Sequence, residues 1–307
     1  MDIVITGASG FVGGKLFNFF KNKVGNVLPV IVRNNEIGGF NTLLQNIQTS
    51  TKIIHASGIA HDIKGVEKDS IYKQSNTDLS IKLIDAFLKS DAEDFIFFSS
   101  VKAVVDFSDT IVNEQTNPQP DSSYGQSKLE VEKYIQNLEI PQGKRIFILR
   151  PAMIYGADCK GNLPLLYSFI KKKLPYPFGR YKNERTFLNI NNLLFAVFGI
   201  FQDKKIPGGI YMVSDDESYS TNDLVKELAI IEEMQPKIIN VPIPIIKVIA
   251  KLGDGLNLPI NSDRLEKLTQ SLKIDNSKLK RALNISKMPY GLKEGLKEMV
   301  DNMPKNK

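Results

Sequence analysis

Short apolar runs alternate with longer stretches in which apolar positions recur every three or four residues, and the alternation extends from the first residues to about position 155. The runs Asp2–Thr6, Val27–Val32, Lys52–His55, Phe95–Ser99 and Arg145–Arg150 are nearly continuous in Val, Ile, Leu and Phe. Strands covered on both faces have that composition, whereas half-exposed strands alternate apolar with polar positions. The stretches between them, such as Phe11–Phe20, carry helical spacing. Strand and helix in turn predict an α/β fold, a doubly wound parallel sheet spanning residues 1–155. After Tyr155-Gly156 the pattern changes: residues 157–190 are rich in Pro, Gly and Lys, and Thr221 to Val300 reads as mainly helical and polar with interspersed prolines. Residues 156–307 are therefore expected to form a smaller mixed, mainly helical region.

The first strand runs directly into Thr6-Gly7-Ala8-Ser9-Gly10-Phe11-Val12-Gly13, glycines spaced G-x-x-G-x-x-G before a helix. A pyrophosphate approaches closely only where the backbone carries no Cβ and where helix N-terminal N–H groups point at it. Such a triplet is weak alone; the strand before it, the helix after it and the next strand complete a βαβ unit, which makes it a dinucleotide-binding turn.

Tyr124 and Lys128 stand four residues apart in Ser122-Ser123-Tyr124-Gly125-Gln126-Ser127-Lys128. On a helix this spacing puts both on one face. A cation beside a phenol stabilises the phenolate and lowers a pKa that is otherwise about 10, so the pair is expected to let Tyr124 exchange a proton with a carbonyl or hydroxyl. In isolation the same spacing describes a solvated surface pair, and the glycine turn in the same chain tips the reading toward chemistry. The strand Phe95–Ser99 leads into Ser99-Ser100, hydroxyls at a carboxyl strand end, where open α/β sheets bind ligands. A pair of serines that merely caps the next turn is the plainer alternative.

Composition narrows the classes. A hydrophobic content of 42% and a charged content of 24% are those of an ordinary globular chain. The single cysteine, Cys159, excludes an internal disulfide, and with two histidines leaves little for a transition-metal site; no metal is expected. No basic-then-apolar leader is read at the start, so a cytoplasmic location is expected. The net charge of +6 comes without zinc-finger spacing, an aromatic RNA-binding pattern or a long basic run, so nucleic acid is not an expected partner. Lys171-Lys172-Lys173 is the densest basic cluster and reads as a solvated helix end. Ile239–Leu252 is the longest apolar region, but Pro242, Pro244, Lys247 and Lys251 interrupt it and it is shorter than the roughly 20 residues a membrane span needs. It reads as an amphipathic helix of the substrate region in preference to a membrane-surface anchor, and no stable membrane insertion is expected.

Together these segments resemble the extended short-chain dehydrogenase/reductases, in particular their nucleotide-sugar epimerase and reductase branch. The resemblance covers nearly the whole chain: the glycine turn, His55-Ala56-Ser57-Gly58, Asn76, Ser99-Ser100, Tyr124-x-x-x-Lys128 and Leu149-Arg150-Pro151-x-x-Ile154-Tyr155-Gly156. It implies a Rossmann sheet to which the later chain partly returns, a soluble NAD(P)-dependent enzyme acting on a nucleotide sugar, and a homodimer. By the same resemblance Ser100, Tyr124 and Lys128 are catalytic. Gly7, Ser9, Gly10, Phe11, Val12, Gly13, Arg33, Ala56, Tyr124 and Lys128 contact the dinucleotide. Lys102, Asn162 in Lys160-Gly161-Asn162, Arg185 in Asn183-Glu184-Arg185-Thr186-Phe187, and Arg264 contact the substrate; Asn76 and His61 are pocket candidates, His61 reading first as a satisfied loop histidine.

Cofactor choice has a physical handle. NAD binders place an acidic residue about 20 positions after the glycines, whereas a cation there accommodates the 2′-phosphate of NADP. Here the position holds Arg33, followed by Asn34 and Asn35, with Glu36 the next acid. NADP(H) is therefore favoured, with NAD(H) open because Arg also stacks on adenine. Relatives that dehydrate the sugar carry Asp-Glu after the catalytic hydroxyl, where this chain has Val101-Lys102. The resemblance thus implies NADPH-dependent reduction of a UDP-4-keto-6-deoxy-N-acetylhexosamine, giving UDP-N-acetylfucosamine or UDP-N-acetylquinovosamine for bacterial surface polysaccharide. A 4-epimerase of UDP-hexose or UDP-N-acetylhexosamine with bound NAD is the alternative, and a non-catalytic NADP-sensing regulator the remote one.

Overall fold

The structure, a computed structural model, describes residues 2–32, 39, 41, 51–60, 68–256 and 261–303. Six parallel strands form the main sheet in the order Val27–Val30, Ile3–Thr6, Lys52–His55, Asp94–Phe98, Arg145–Pro151 and Gly209–Val213. The last of these comes from the C-terminal half and extends the sheet at one edge, so the chain does return to it. The expected strands are all present. Val27–Val32 ends two residues early, at Val30, where Ile31 turns out into solvent.

Strand side chains alternate between two faces, and both are covered. Ile3, Ile5, Ile54, Ile96, Phe147 and Leu149 pack on one side with the helices Phe11–Val24 and Ile190–Gln202. Val4, Ile53, Phe95, Phe97, Ile146 and Ile148 pack on the other with the helices Leu79–Lys89 and Ser123–Gln136. This explains why the strands read as unbroken apolar runs. A third cluster lies outside the sheet, built from the helices Asn162–Lys171, Thr221–Ile231, Ile243–Leu256 and Leu292–Asp301 around Leu166, Phe178, Leu228 and Leu296.

The two ends of the sheet are made differently. At the amino ends Lys52, Asp94 and Arg145 stand opposite one another in register on neighbouring strands. Asp94 takes an ion pair from Lys52 and a two-pronged one from Arg145, at 2.7 and 2.9 Å. Opposite charges on adjacent strands stabilise a given register. The carboxyl ends are left free to hold a site.

Candidate functional site

The glycine turn opens this end. Gly7 adopts φ +78°, and a Cβ there would lie 2.6 Å from the backbone of Ala56 and Ser57. A Cβ on Gly13 would lie 2.1 Å from the Gly7 carbonyl oxygen. Both contacts are with backbone, so only glycine fits at either place. Gly10 closes the turn by donating its N–H to Gly7 at 2.9 Å and starts the helix Phe11–Val24 with no side-chain cap and no acidic residue in the first turn. The positive end of that helix, flanked by Ser9, Phe11 and Val12, is thus presented to an anion without a competing side chain. The cradle fits the diphosphate of a dinucleotide.

Three consecutive residues at the end of strand Asp94–Phe98 grip the helix Ser123–Gln136 at successive turns. The Phe98 carbonyl accepts from Lys128 Nζ at 2.8 Å, the Ser99 hydroxyl donates to Glu132 Oε1, and Ser100 lies beside Tyr124 and influences its phenol. Tyr124, Lys128 and Glu132 are spaced i, i+4, i+8, one face of one helix. Ser99 is committed to Glu132, and it is Ser100 that reaches the phenol. Ser100 Oγ also accepts the Lys102 N–H at 3.2 Å, capping the short 3₁₀ turn Val101–Ala103. The helix starts on Ser122, whose Oγ accepts from Gly125 at 3.2 Å. Glu132 is fully buried and held by Arg150, with Nε at 3.0 and 3.1 Å from its two oxygens and Nη2 at 2.5 Å.

Electrostatics differ from the expected pairing. Burial pushes the Tyr124 phenol up to about 12; the Ser100 hydroxyl opposes that shift and neighbouring Tyr72, its ring 6.0 Å away, adds to it. Burial pulls Lys128 down to about 8, against the opposing charge of Glu132. The Lys128 ammonium is held by the Phe98 carbonyl and sits 4.9 Å over the Phe97 ring.

Asn76 is buried in a π-helical turn, Lys73–Asp78. Its Oδ1 accepts the Ile59 N–H at 2.8 Å, and its Nδ2 donates to the Ile59 carbonyl at 3.1 Å and to Ser127 Oγ at 3.2 Å. Gly58, at φ +142°, makes this approach possible, since a Cβ there would lie 2.9 Å from Asn76 Oδ1 and 3.5 Å from Lys128 Nζ. His55, which the sequence places only in a motif, proves to be a junction. Ser57 donates to Thr6, Thr6 shares a 2.8 Å bond with His55 Nδ1, and His55 Nε2 lies 2.8 Å from Ser80 Oγ, which donates to the Asn76 carbonyl. With every hydroxyl donating onward, Nε2 carries the ring proton. Burial, seconded by Lys128, lowers His55 to about 3, so it stays neutral. The chain connects the residue before the glycine turn to the helix that carries Tyr124 and Lys128.

The substrate candidates divide. Asn162 and Arg185 come together in one cleft, with Met153, Leu166, Phe187 and Leu268 in its walls. Arg185 is partly buried, and burial lowers its guanidinium from its ordinary value. Lys102 lies elsewhere, its Nζ 3.4 Å from Asp106 Oδ1. Asp106 in turn accepts the backbone N–H groups of Asp121 and Ser122 at 3.1 and 3.0 Å, so this lysine braces the entry to the helix Ser123–Gln136. Arg33, His61 and the side chain of Arg264 lie outside the described residues.

The model of the NAD dependent epimerase/dehydratase family matches residues 3–214. The chain belongs to this family. It is accordingly an NAD(P)-dependent enzyme of the extended short-chain dehydrogenase/reductases, in their nucleotide-sugar branch. It is 30% identical over 316 residues to a UDP-glucose 4-epimerase of Vibrio cholerae, across 97% of this chain and 94% of that one. A UDP-2-acetamido-2,6-beta-L-arabino-hexul-4-ose reductase of Pseudomonas aeruginosa strain PA103 is 22% identical over 233 residues, 74% of this chain and 57% of that one. Among solved structures, a UDP-glucuronic acid 4-epimerase of Bacillus cereus in complex with NAD superposes with a TM-score of 0.74 at 20% identity, covering 98% of this chain and 96% of that one. Membership accounts for the Rossmann sheet and the bare glycine cradle as parts of one dinucleotide site.

Proposed function

We propose that the protein moves a hydride between a nicotinamide dinucleotide and C4 of a UDP-linked hexose, with Ser100, Tyr124 and Lys128 as its catalytic residues. The observation that carries this reading is the placing of Ser100 beside Tyr124, one helical turn from a Lys128 anchored on the Phe98 carbonyl, at the carboxyl end of a sheet whose first turn is a glycine cradle. Gly7, Ser9, Gly10, Phe11, Val12, Gly13 and Ala56 would hold the dinucleotide, which when bound supplies or receives the hydride. A phenol held near 12 keeps its proton at neutral pH, so Tyr124 is suited to protonate the C4 oxygen as the carbonyl becomes a hydroxyl. Ser100 orients the same oxygen. Lys128 stabilises the phenolate that remains and returns its proton. In the C-terminal cleft Arg185 offers a planar fork to the substrate diphosphate, and Asn162 a polar contact beside it.

Within this chemistry we favour net reduction of a UDP-4-keto-6-deoxy-N-acetylhexosamine by NADPH. Val101-Lys102 offers no carboxylate pair for dehydration, and Arg33 stands where NAD binders place an acid. The second reading, 4-epimerisation with retained NAD, is favoured by the nearly full-length likeness to the Vibrio cholerae epimerase. One assay separates them: NADPH oxidation with UDP-2-acetamido-2,6-dideoxy-hexos-4-ulose, beside NADH, and beside UDP-glucose or UDP-GlcNAc without added reductant. Rapid NADPH loss supports the reductase, and product NMR names the epimer. Interconversion of UDP-GlcNAc with UDP-GalNAc, or of UDP-glucose with UDP-galactose, with NADPH untouched replaces it by the epimerase. No turnover on any of these, despite dinucleotide binding, overturns both.

A further inference from the structure

Two sequence features are left over once the reaction site is assigned: the triplet Lys171-Lys172-Lys173 and the apolar stretch Ile239–Leu252. The structure joins them at one end of the C-terminal half. The Tyr176 N–H donates to the Lys237 carbonyl at 2.7 Å, the Ile239 N–H to the Tyr176 carbonyl at 2.8 Å, and the Gly179 N–H to the Ile239 carbonyl at 3.1 Å. The segment after the lysine triplet is thereby stitched to the segment that begins the apolar stretch, and Lys173, Leu174 and Lys237 line one groove. The chain then passes Pro242 into the helix Ile243–Leu256. That helix buries Ile246 and Ala250 and leaves Ile245, Val248, Ile249 and Leu252 exposed at 50, 60, 44 and 60%. Their spacing, i, i+3, i+4, i+7, makes one continuous stripe.

Lys247 and Lys251 lie on the same helix, both exposed, and from Pro236 to Gly253 the chain carries three lysines and no acidic residue. With Lys171, Lys172 and Lys173 that makes six exposed lysines at this end, with Glu233 in the groove of Lys173 and Lys237, and Glu232, Glu233 and Asp301 in a groove shared with Lys171. Asp254, at the helix end, is taken by the Ser262 N–H and hydroxyl at 2.8 and 2.6 Å. We propose that this end of the protein docks on an anionic lipid surface, the stripe lying among the headgroups and the lysines meeting the lipid charge. Among the described residues no helix is long and apolar enough to cross a membrane, so the contact is peripheral. A second copy fits less well, because a two-fold interface sets a patch against itself and here would oppose lysine to lysine. Nucleic acid would use the lysines and leave four aliphatic side chains without a role, where stacking aromatics are the usual partners.

The test uses the full chain and does not depend on the activity proposed above. The protein is sedimented with vesicles of phosphatidylcholine alone and with vesicles enriched in phosphatidylglycerol. Binding is expected only to the latter and is expected to weaken with salt. Lys247→Gln and Lys251→Gln should each weaken it about fivefold, the equivalent of about 1 kcal/mol per lysine at an anionic surface. Val248→Ser combined with Leu252→Ser should weaken it at least tenfold at unchanged thermal midpoint. Absence of binding at low salt overturns the proposal. So does binding that ignores the serine changes, which would be simple polycation adsorption. So does a dimer in light scattering that Leu252→Ser dissociates, which would assign the face to a second copy.

Discussion

Two helices of 14 residues each, Ser123–Gln136 and Ile243–Leu256, break the inside-out rule in opposite senses. The first turns Ser127, Lys128 and Glu132 inward; the second turns Ile245, Val248, Ile249 and Leu252 outward. Lysine and glutamate are almost never fully buried unless paired, and on the first helix each polar group has its partner: Lys128 on Phe98, Glu132 on Arg150 and Ser99, Ser127 on the Tyr124 carbonyl. A buried polar group held this way is fixed in position, which is what proton transfer needs. The second helix has no such ties on its outer stripe, and its outer residues contribute nothing to the apolar cluster that Ile246 and Ala250 join. A rule broken inward with compensation marks chemistry; a rule broken outward without it marks a surface.

The largest expected effect tests the inward helix at its reacting group. Tyr124→Phe should lower turnover by roughly 10²- to 10⁴-fold, the range for a lost general acid, while dinucleotide binding and thermal midpoint hold. Retained turnover would remove Tyr124 from the mechanism. The same helix sets a pH dependence. Lys128, lowered to about 8, carries its charge below that value and loses it above. The rate of ketone reduction should therefore hold on the acid side and fall as pH rises through about 8, and Lys128→Met should abolish that limb.

Glu132→Gln comes next and concerns stability. Arg150 already has a buried Nη1 without a hydrogen-bond partner among the described residues. Removing the carboxylate leaves its charge uncompensated, at about 3–5 kcal/mol for breaking a buried pair from one side. Urea unfolding measures it. A change below about 0.5 kcal/mol would mean that the inward polar face is not held as the geometry describes. Gly13→Ala forces the backbone of the glycine turn to shift, a displacement local to the turn, so its effect should be selective in function. The added methyl meets the Gly7 carbonyl, so dinucleotide binding should be lost well before the fold; fluorescence titration with NADPH reads the first and thermal unfolding the second.

The same contrast explains what the sequence discloses. The sheet is legible because a strand buried on both faces cannot avoid a run of Ile, Val and Phe, and the glycine turn because no other residue survives a Cβ 2.1 Å from a carbonyl oxygen. Tyr124 and Lys128 are legible because their relation is local, four residues on one helix. The grip of Glu132 on Arg150 and Ser99, 18 and 33 residues away, is not, and neither is the chain from Ser57 through Thr6, His55 and Ser80 to Asn76. Such pairs are fixed by which strand lies beside which helix. Long-range placement also adds what the local spacing does not show: ammonium and phenol share one face, but a carbonyl on the adjacent strand holds the ammonium, and burial is the largest influence on both groups. The outward stripe was visible as an amphipathic pattern, yet hydrophobic spacing alone does not say whether the protein covers it.

The smallest expected effect closes the comparison on the outward helix. Val248→Ser and Leu252→Ser alter side chains that are already mostly in water, so each should change unfolding stability by no more than about 0.5 kcal/mol. Ile246→Ala, on the buried face of the same helix, should cost about 2–5 kcal/mol because it opens a cavity in the C-terminal cluster. Chemical denaturation of the three variants decides the matter within one helix. If the serine variants prove as costly as Ile246→Ala, the stripe is part of the core and the contrast between the two helices collapses. If they are silent in unfolding, those side chains are not kept for the fold.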